Sequence, residues 1–430
     1  MASAEELYRQ RRCTPEEAAA IVRSGDQLVL PICAAEPTLF VKALGARRHE
    51  LSGVVVHQQH TLTGAYLDRE SAPHVRLCSW FTSAASRTAV QEGWADFVPN
   101  HFHEVPRLLR EHWPVDVVGT VVSPMDEDGF FTCGLSVAYT MAALGKARAV
   151  VVQVNPAAPR TRGDCRIHVS QVDRIIECED PLFELAPAPV TEVERAIGGC
   201  IAELIEDGST LQLGIGGIPN AVCAALTGKR GLGIHTEMLT DGVVDLVRCG
   251  AVDNSRKTSH PGTSVATFAL GTRRLYDFMH ENPAVEMHPV DHTNDPREIG
   301  RNDRVVAINS TLEVDLLGQC CSEAIGSAQW SGSGGQVDFV RGANLSRGGK
   351  SFIAAPSTAR KGTVSRIVAA LEPGAVVTTG KNDVDHVVTE YGVARLRGRT
   401  ARERALALIA IAHPDFRREL TLAARRLNRI

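Results

Sequence analysis

A glycine-rich turn in the middle of the chain is the feature whose residue types most directly suggest chemistry. Residues 211–213 have the apolar pattern of a short strand, and a helix is expected to begin near Pro219. The connecting turn consists of Gly214, Ile215, Gly216, Gly217 and Ile218. Glycine allows the backbone to approach a ligand closely, and a helix amino terminus offers free N–H groups. The turn therefore predicts a site for a phosphate group or an oxyanion, although an ordinary strand-to-helix turn has similar residues.

Glu237 lies 237 − 217 = 20 residues beyond Gly217, shortly after the apolar stretch 231–234. A dinucleotide-binding fold places its ribose-binding acid at this spacing. That fold requires the pattern G-x-G-x-x-G, however, and Pro219 occupies the position of the third glycine. The turn also lies in the middle of the chain and not in a first βαβ unit. The sequence therefore disfavours a nicotinamide-cofactor site, and on spacing alone Glu237 reads as a solvated charge.

Two stretches of the chain have the same order of predicted elements, and these elements must position the residues described above. Each has a capping box, at Thr14 and at Thr191, followed by a helix, a glycine turn, a short strand, a loop, a proline and an apolar helix. The offset is 208 − 25 = 183 at the glycine turn and 226 − 44 = 182 in the apolar helix. This repetition predicts an α/β protein with two tandem, similar domains and parallel sheets. A proline-containing linker at residues 181–189 gives predicted domains 1–186 and 187–430.

Composition excludes several classes of protein. The 430 residues are 44% hydrophobic and carry 46 Lys and Arg against 50 Asp and Glu, a net charge of −4 that predicts neither a nucleic-acid nor a membrane partner. The 11 cysteines are odd in number and form no C-x-x-C pair, which favours reduced thiols over zinc sites or disulfides. The amino-terminal residues lack an apolar signal segment. We therefore expect a cytoplasmic location and no metal.

Residues 233–244 resemble the active-site segment of the acetyl-CoA hydrolase/transferase family, and in particular 4-hydroxybutyrate CoA-transferases and relatives acting on butyrate, acetate or itaconate. The resemblance extends over nearly the whole chain. Matching motifs lie at residues 122–124, 134–136, 155–161, 163–164 and 167–170 in the first half, and at 309–310, 313–315, 332–343, 356–359, 382–384 and 388–392 in the second. The combination of motifs is specific.

The resemblance implies a class I CoA-transferase-like arrangement of two α/β domains with the active site between them. It implies a homodimer or higher homo-oligomer, with acyl-CoA and a small carboxylate as substrates and no permanently bound cofactor. Glu237 takes the place of the covalent nucleophile. CoA contacts are implied for the first glycine turn and for a second one at Gly334 and Gly335. Segments 31–36, 57–64 and 79–85 are implied to lie near the acyl group, and they leave the identity of the acid open.

The chemistry requires no proton transfer. A Glu carboxylate attacks the thioester and releases CoA thiolate, which then attacks the enzyme's own carbonyl to give a glutamyl-CoA thioester; the acceptor acid reverses these steps. An ordinary Glu pKa near ~4.3 would leave the nucleophile ionised at neutral pH. Backbone N–H groups of the glycine turn are candidate oxyanion donors. Two alternatives remain open, an acyl-CoA hydrolase on the same scaffold and a CoA-binding regulatory protein without turnover.

The phosphates of CoA require cations, and a basic stretch contains Arg347, Lys350, Arg360 and Lys361. Lys350 follows a glycine pair and is the preferred phosphate contact, although any of the four could belong to a solvated loop. His101 and His103, with His57 and His60, lack the spacing of a metal motif and are interpreted as surface or core histidines. Cys320 and Cys321 are interpreted as residues of a buried strand.

Overall fold

The computed structural model describes residues 2–430 as an alternation of helices and short strands. Its α-helices are α1 Ala4–Arg11, α2 Pro15–Ala19, α3 Thr38–Ala46, α4 Arg87–Gln91, α5 Val105–Glu111, α6 Thr140–Leu144, α7 Glu192–Glu203, α8 Gly217–Ala225, α9 Asp241–Arg248, α10 Arg273–Met279, α11 Val290–Thr293, α12 Pro296–Gly300, α13 Gln336–Leu345, α14 Ala401–Ile411 and α15 Pro414–Arg426. In the part of the chain that the structure describes, none of these helices is long and apolar enough to cross a membrane.

The strands are mostly short. They are β1 Gln27–Val29, β2 Val54–Gln59, β3 Val75–Phe81, β4 Asp96–Phe97, β5 Val117–Val122, β6 Phe130–Thr132, β7 Ala149–Val154, β8 Arg162–Gly163, β9 Arg166–His168, β10 Arg174–Glu177, β11 Thr210–Gln212, β12 Gly233–Ile234, β13 Met238–Leu239, β14 Ser264–Ala266, β15 Phe268–Ala269, β16 Val285–Met287, β17 Val305–Ser310, β18 Glu313–Asp315, β19 Cys320–Cys321, β20 Ala324–Ile325, β21 Ala328–Gln329, β22 Lys350–Ala354, β23 Thr358–Ala359, β24 Val364–Ser365, β25 Ile367–Val368, β26 His386–Thr389 and β27 Gly392–Arg395.

The first of two compact units consists of Met1–Leu185 and Val265–Thr293. Its main sheet has seven parallel strands in the order β10-β7-β5-β1-β2-β3-β4. Every residue of β5 and of β7 is buried. Such uninterrupted burial is expected of a parallel sheet that helices cover on both faces. Phe40 and Leu44 of α3 are fully buried in the core beside Leu28 and Val56.

The second unit consists of Ala186–Ser264 and Asn294–Ile430. Its main sheet has the order β12-β11-β17-β22-β26-β27, in which only the last pair is antiparallel. Helices α7 and α8 pack closely at Gly198, where a Cβ atom would lie within 2.7 Å of the Ala221 side chain. Helices α14 and α15 bury Leu408 and Leu420 against the strands at the other end of the sheet.

The predicted pair of α/β domains with parallel sheets is confirmed. In each sheet the first core strand, β1 or β11, lies between the next core strand on one side and later strands on the other. Both predicted capping boxes are present, at Thr14 with Glu17 and at Thr191 with Glu194. The repeated stretches therefore form equivalent elements within their own units.

The boundary proposed at residues 186 and 187 lies one residue from the break between Leu185 and Ala186. The sequence did not predict that Val265–Thr293 belongs to the first unit. Strand β16 explains it, because it pairs in parallel with β8, so that Met287 lies opposite Gly163. A pairing over more than a hundred residues leaves no local pattern in the sequence.

Candidate active site

Glu237 lies in the three-residue link between β12 and β13 of the second unit. Strands β11 and β12 are parallel, with Leu211 opposite Ile234, so the glycine turn and Glu237 leave the sheet at the same edge. The buried Thr236 hydroxyl joins them: it accepts from Leu213 N at 3.2 Å and lies 3.0 Å from Leu213 O. The structure therefore brings the start of the glycine turn to the residue beside Glu237.

Two donors meet the Glu237 carboxyl group. The Nδ2 of Asn294 donates to Oε2 at 2.7 Å, and the backbone N–H of Gly335 donates to the same carboxyl. Gly335 is the N-cap of α13, so the positive end of that helix also faces the carboxylate. A Cβ atom at position 335 would overlap Oε2 of Glu237 and lie within 2.4 Å of Asn294, so only glycine fits here. The arrangement suits a group that carries negative charge.

The pKa of Glu237 is raised from its ordinary value to about 7. Burial is the largest cause, and the negative charge of buried Asp338 adds to it, whereas the hydrogen bonds from Asn294 and Gly335 lower the pKa. Burial therefore outweighs the two donors. The sequence-based expectation of an unperturbed, fully ionised carboxylate is wrong for this environment, because about half of the carboxyl groups are protonated at pH 7.

The first glycine turn adopts a conformation that requires glycine at two positions. Gly216 is the N-cap of α8 and has φ +112°, which side-chain-bearing residues rarely adopt. Gly217 packs against α7, and a Cβ atom there would overlap the carboxyl group of Glu194. Ile215, at the tip of the turn, is 44% exposed. The turn thus presents the first N–H groups of α8, which have no acceptor inside the helix, at the edge where Glu237 lies.

Gly334, with φ +52°, directly precedes Gly335 and so lies near Glu237, whereas Lys350 does not. Lys350 is the first residue of β22, and this strand runs parallel to β17 and β11. Its position is therefore at the edge of the sheet opposite to that of the first glycine turn. The Nζ of Lys350 donates to Leu204 O at 2.9 Å and to Glu206 Oε1 at 2.8 Å.

The later part of the basic stretch lies elsewhere. Arg360 and Lys361 follow the carboxyl end of β22, in the turn between β23 and β24. With Gly362 they form three consecutive residues of positive φ, at +48°, +57° and +88°. Both side chains are exposed at the edge of the sheet that Glu237 shares.

His57, Cys320 and Cys321, which we interpreted from the sequence as structural residues, are buried. His57 is buried, its Nδ1 accepts from Trp80 Nε1 at 3.2 Å, and its Nε2 lies 2.8 Å from Gln27 Oε1. Burial lowers the pKa of His57 to about 4, so the ring is neutral. Cys320 and Cys321 are fully buried in β19, and burial raises the pKa of both thiols.

Asn294 is the site residue that sequence reasoning missed. It lies 294 − 237 = 57 residues beyond Glu237 and is completely buried. Its neighbours Asp295 and Pro296 begin α12 through a side-chain cap, which is an ordinary helix start. No spacing or composition in this segment indicates a role for Asn294, since only the fold brings it to the carboxyl group.

Comparison with known proteins identifies the family of this chain. Residues 2–185 match the family model described as acetyl-CoA hydrolase/transferase N-terminal domain, and residues 271–424 match the corresponding C-terminal domain. The chain belongs to the acetyl-CoA hydrolase/transferase family. Among curated members, a succinyl-CoA:cyclohexane-1-carboxylate CoA transferase of Geobacter metallireducens is 68% identical over 100% of this chain and 98% of its own length. A 4-hydroxybutyrate coenzyme A transferase of Clostridium kluyveri is 49% identical over 97% of each chain.

Two solved structures that are similar to this chain have the same fold. RipA from Yersinia pestis is 42% identical, covers 100% of both chains and superimposes with a TM-score of 0.96. The 4-hydroxybutyrate CoA-transferase of Porphyromonas gingivalis is 44% identical, covers 99% of this chain and 100% of its own, and has a TM-score of 0.85. The resemblance inferred from the motifs is therefore confirmed, as is the predicted enzyme class, because the similar proteins are named CoA-transferases.

Proposed function

We propose that this chain transfers CoA between carboxylic acids through a glutamyl-CoA thioester formed on Glu237. The observation that carries the proposal is the convergence of Asn294 Nδ2 and the Gly335 N–H on one carboxyl group. Fixed donors aimed at a carboxyl oxygen are what stabilises charge when that carboxyl carbon is attacked.

Each half-reaction of the proposed mechanism consists of two nucleophilic substitutions at a carbonyl carbon. A Glu237 carboxylate oxygen attacks the thioester carbon, the C–S bond breaks, and CoA leaves as thiolate from a mixed anhydride. The thiolate then attacks the Glu237 carbonyl carbon, and the donor acid leaves as its carboxylate. In this second step the oxyanion develops on the Glu237 carboxyl group, to which Asn294 donates at Oε2 and to which the Gly335 N–H also donates. Loss of one such donor typically costs roughly 2.7–4 kcal/mol of barrier stabilisation.

The raised pKa of Glu237 has two opposing effects on the proposed attack. A carboxylate with a pKa of about 7 is a stronger base, and therefore a better nucleophile, than one of ordinary pKa. At the same time only the ionised fraction reacts. A pKa near the working pH balances these effects, as it does for catalytic acids and bases.

For the acids, we propose succinyl-CoA as donor and an alicyclic monocarboxylate as acceptor. The support is the 68% identity to the Geobacter metallireducens transferase over the whole chain, against 49% to the 4-hydroxybutyrate enzyme of Clostridium kluyveri. The test is an acceptor panel with succinyl-CoA, containing cyclohexane-1-carboxylate, 4-hydroxybutyrate, butyrate, acetate and itaconate. We expect the highest kcat/KM with the cyclic acid. A higher value with any linear acid would contradict this assignment.

For the CoA phosphates, we propose the turn at Arg360, Lys361 and Gly362 in place of Lys350. Two observations support this: the turn follows the carboxyl end of β22, and its two cationic side chains are exposed. Lys350 has its ammonium group engaged by Glu206 at the other edge of the sheet. The first glycine turn, residues 214–218, and the second, Gly334 and Gly335, remain the proposed contacts for the rest of CoA.

The covalent step has a direct test. After incubation with succinyl-CoA, borohydride reduces a glutamyl thioester to an alcohol and changes the mass of the peptide that contains Glu237. We expect the shift in wild-type protein and its absence in Glu237→Ala. A shift on another peptide, or none, would refute the proposed nucleophile.

A hydrolase is the second candidate, because an acetyl-CoA hydrolase of Neurospora crassa is 28% identical over 74% of this chain and 69% of its own. CoA release from succinyl-CoA in the absence of acceptor acid, at the rate of the complete transfer reaction, would favour it. A binding protein without turnover predicts CoA binding that survives Glu237→Ala and no exchange of CoA at all.

We also propose a cytoplasmic location and a homo-oligomeric state. The location is supported by the 11 cysteines, all of which are free thiols. Light scattering during size-exclusion chromatography tests the oligomeric state, and a monomeric mass would contradict it.

A further inference from the structure

Strand β12, which leads into Glu237, is the edge strand of the main sheet of the second unit, since the order of that sheet begins with β12. The N–H groups of Gly233 and His235 donate toward β11, at 2.9 Å and 3.1 Å. The N–H and C=O of Ile234 therefore point to the outer side, where the described part of the chain adds no further strand to the sheet. Ile234 is completely buried, and buried backbone groups without partners are costly. These two groups must be paired by something other than a strand.

Two side chains of the loop between α9 and β14 pair with Ile234 in place of a strand. Oδ1 of Asn254 accepts from the Ile234 N–H at 2.8 Å, and Nζ of Lys257 donates to Ile234 O at 2.8 Å. The same ammonium group donates to Thr263 O at 2.6 Å. Asn254 has φ +58°, a left-handed conformation that asparagine adopts more readily than most residues. The loop thus presents both side chains to the outer side of β12.

Lys257 is the more unusual of these two partners, because it is a lysine that is only 5% exposed. Lysine is almost never buried so fully unless its charge has partners. The stem of the side chain is also closely packed: a Cβ atom at Gly233 would lie 2.3 Å from Lys257 Cγ. Packing of the stem and two carbonyl acceptors therefore fix the ammonium group, and with it the carbonyl of Ile234.

The carbonyl that Lys257 fixes lies 237 − 234 = 3 residues before Glu237 along the chain. The link between β12 and β13 is therefore attached at two points. The Thr236 hydroxyl attaches it to Leu213, on the side of the glycine turn. Lys257 attaches the start of the link on the opposite, outer side of β12. Without the second attachment, only β11 and Thr236 would restrain the backbone that carries the carboxyl group.

We propose that Lys257 is a positioning residue for Glu237. By fixing the carbonyl of Ile234, it holds the link that follows so that the carboxyl group of Glu237 meets Asn294 Nδ2 and the N–H of Gly335. The inference rests on the proposed function, since it concerns the alignment of the same nucleophile. Alignment matters to such an attack, because a misplacement of about 1 Å can cost roughly 10²-fold in rate.

Lys257→Met tests the proposal, because methionine has a similar length and no donor. Lys229→Met is the matched control: Nζ of Lys229 also donates to a backbone carbonyl, Ile205 O at 2.7 Å, in the chain ahead of β11. Reacting sites are counted by borohydride labelling after prolonged incubation with succinyl-CoA, and kcat is expressed per labelled site, so that unfolded molecules do not lower it. We expect this kcat to fall at least about tenfold in Lys257→Met, with KM for succinyl-CoA within about twofold of wild type, and to stay unchanged in Lys229→Met. An unchanged kcat per site in Lys257→Met would overturn the proposal.

Hydrogen exchange tests the restraint on the link without any chemistry. The backbone amides of residues 234–238 should exchange at least about tenfold faster in Lys257→Met than in wild-type protein, and at the wild-type rate in Lys229→Met. Lys257→Gln, which keeps an uncharged donor on a shorter side chain, should lie between wild type and Lys257→Met, and it carries the test if Lys257→Met fails to fold. Equal exchange in the Lys257 variants and wild type would overturn the proposal. A wild-type protein that forms no glutamyl thioester would overturn the proposed function, whereas the exchange rates would still decide the role of Lys257.

Discussion

Replacement of Asn294 by alanine gives the sharpest test of the Glu237 site. The change removes the Nδ2 donor that lies 2.7 Å from Glu237 Oε2. This donor favours the carboxylate over the protonated acid, so its loss raises the pKa of Glu237. A hydrogen bond to a charged group contributes about 1.5–3 kcal/mol, and one pKa unit corresponds to about 1.36 kcal/mol. The pKa of about 7 should therefore move to roughly 8 or 9.

The magnitude follows from the ionised fraction. At pH 7 that fraction falls from about one half to about one eleventh for a shift of one unit, which lowers kcat/KM about fivefold. At about pH 10 the two fractions converge, so this part of the loss disappears. A deficit independent of pH remains, because the oxyanion donor is also gone, and we expect it to reach about 10²-fold.

The assay is kcat/KM for succinyl-CoA measured from about pH 5.5 to about pH 10. The acid limb of the profile should lie near pH 7 in wild-type protein and about one unit higher in Asn294→Ala. Asp338→Asn is the opposing control: it removes the negative charge that raises the pKa of Glu237, so its acid limb should move to lower pH. An acid limb at the same pH in all three proteins would refute the assignment of Glu237 as the titrating nucleophile.

Three further outcomes are expected. Glu237→Gln removes a carboxyl whose pKa is about 7 in the folded chain and near ~4.5 unfolded, so ionisation costs the wild type stability as pH rises. The unfolding free energy of wild type relative to Glu237→Gln should fall by about 2.5 kcal/mol between about pH 5 and about pH 8.5 in urea titrations, and a constant difference would contradict the raised pKa. Gly335→Ala should lower kcat at least about 10²-fold by pushing Glu237 from its donor, and it should also lower the thermal unfolding temperature, because the added Cβ overlaps the side chains of Glu237 and Asn294; unchanged kcat would refute the steric reasoning. Lys361→Ala should raise KM for succinyl-CoA about tenfold and Lys350→Ala should leave it unchanged, and the reverse order would restore Lys350 as the phosphate contact.

The sequence predicted those parts of the molecule that local patterns determine. Patterns of neighbouring residues were enough to predict the capping boxes at Thr14 and Thr191, the glycine turn at 214–218 and the two parallel sheets. The motifs around Glu237 indicated the family of the chain. Properties that depend on residues distant in the chain were not accessible. The pKa of Glu237 depends on burial and on Asn294 and Asp338, which are brought to it only by the fold.

The position of Lys350 shows the same limit, because the edge of the sheet at which it lies depends on the direction of a strand. Lys350 follows a glycine pair, as a residue of a phosphate-binding loop would. It is the first residue of β22, however, and therefore lies at the edge of the sheet where the parallel strands begin. A glycine turn binds anions at the catalytic edge only when it follows the carboxyl end of a strand, as the turn at 214–218 does. Sequence proximity to glycine does not distinguish these two edges, whereas strand direction does.

The Thr236 hydroxyl has a mechanical consequence for the protein. This completely buried group lies within 3.2 Å of the N–H and C=O of Leu213, which precedes the glycine turn, and of the C=O of Met238, which follows Glu237. Hydrogen bonds of one side chain therefore link the start of the glycine turn to the backbone on both sides of Glu237, so we expect a ligand that displaces the turn to displace the carboxyl group as well. In the proposed reaction, binding energy gained at the turn would thereby act on the alignment of Glu237, as rate acceleration by remote contacts requires.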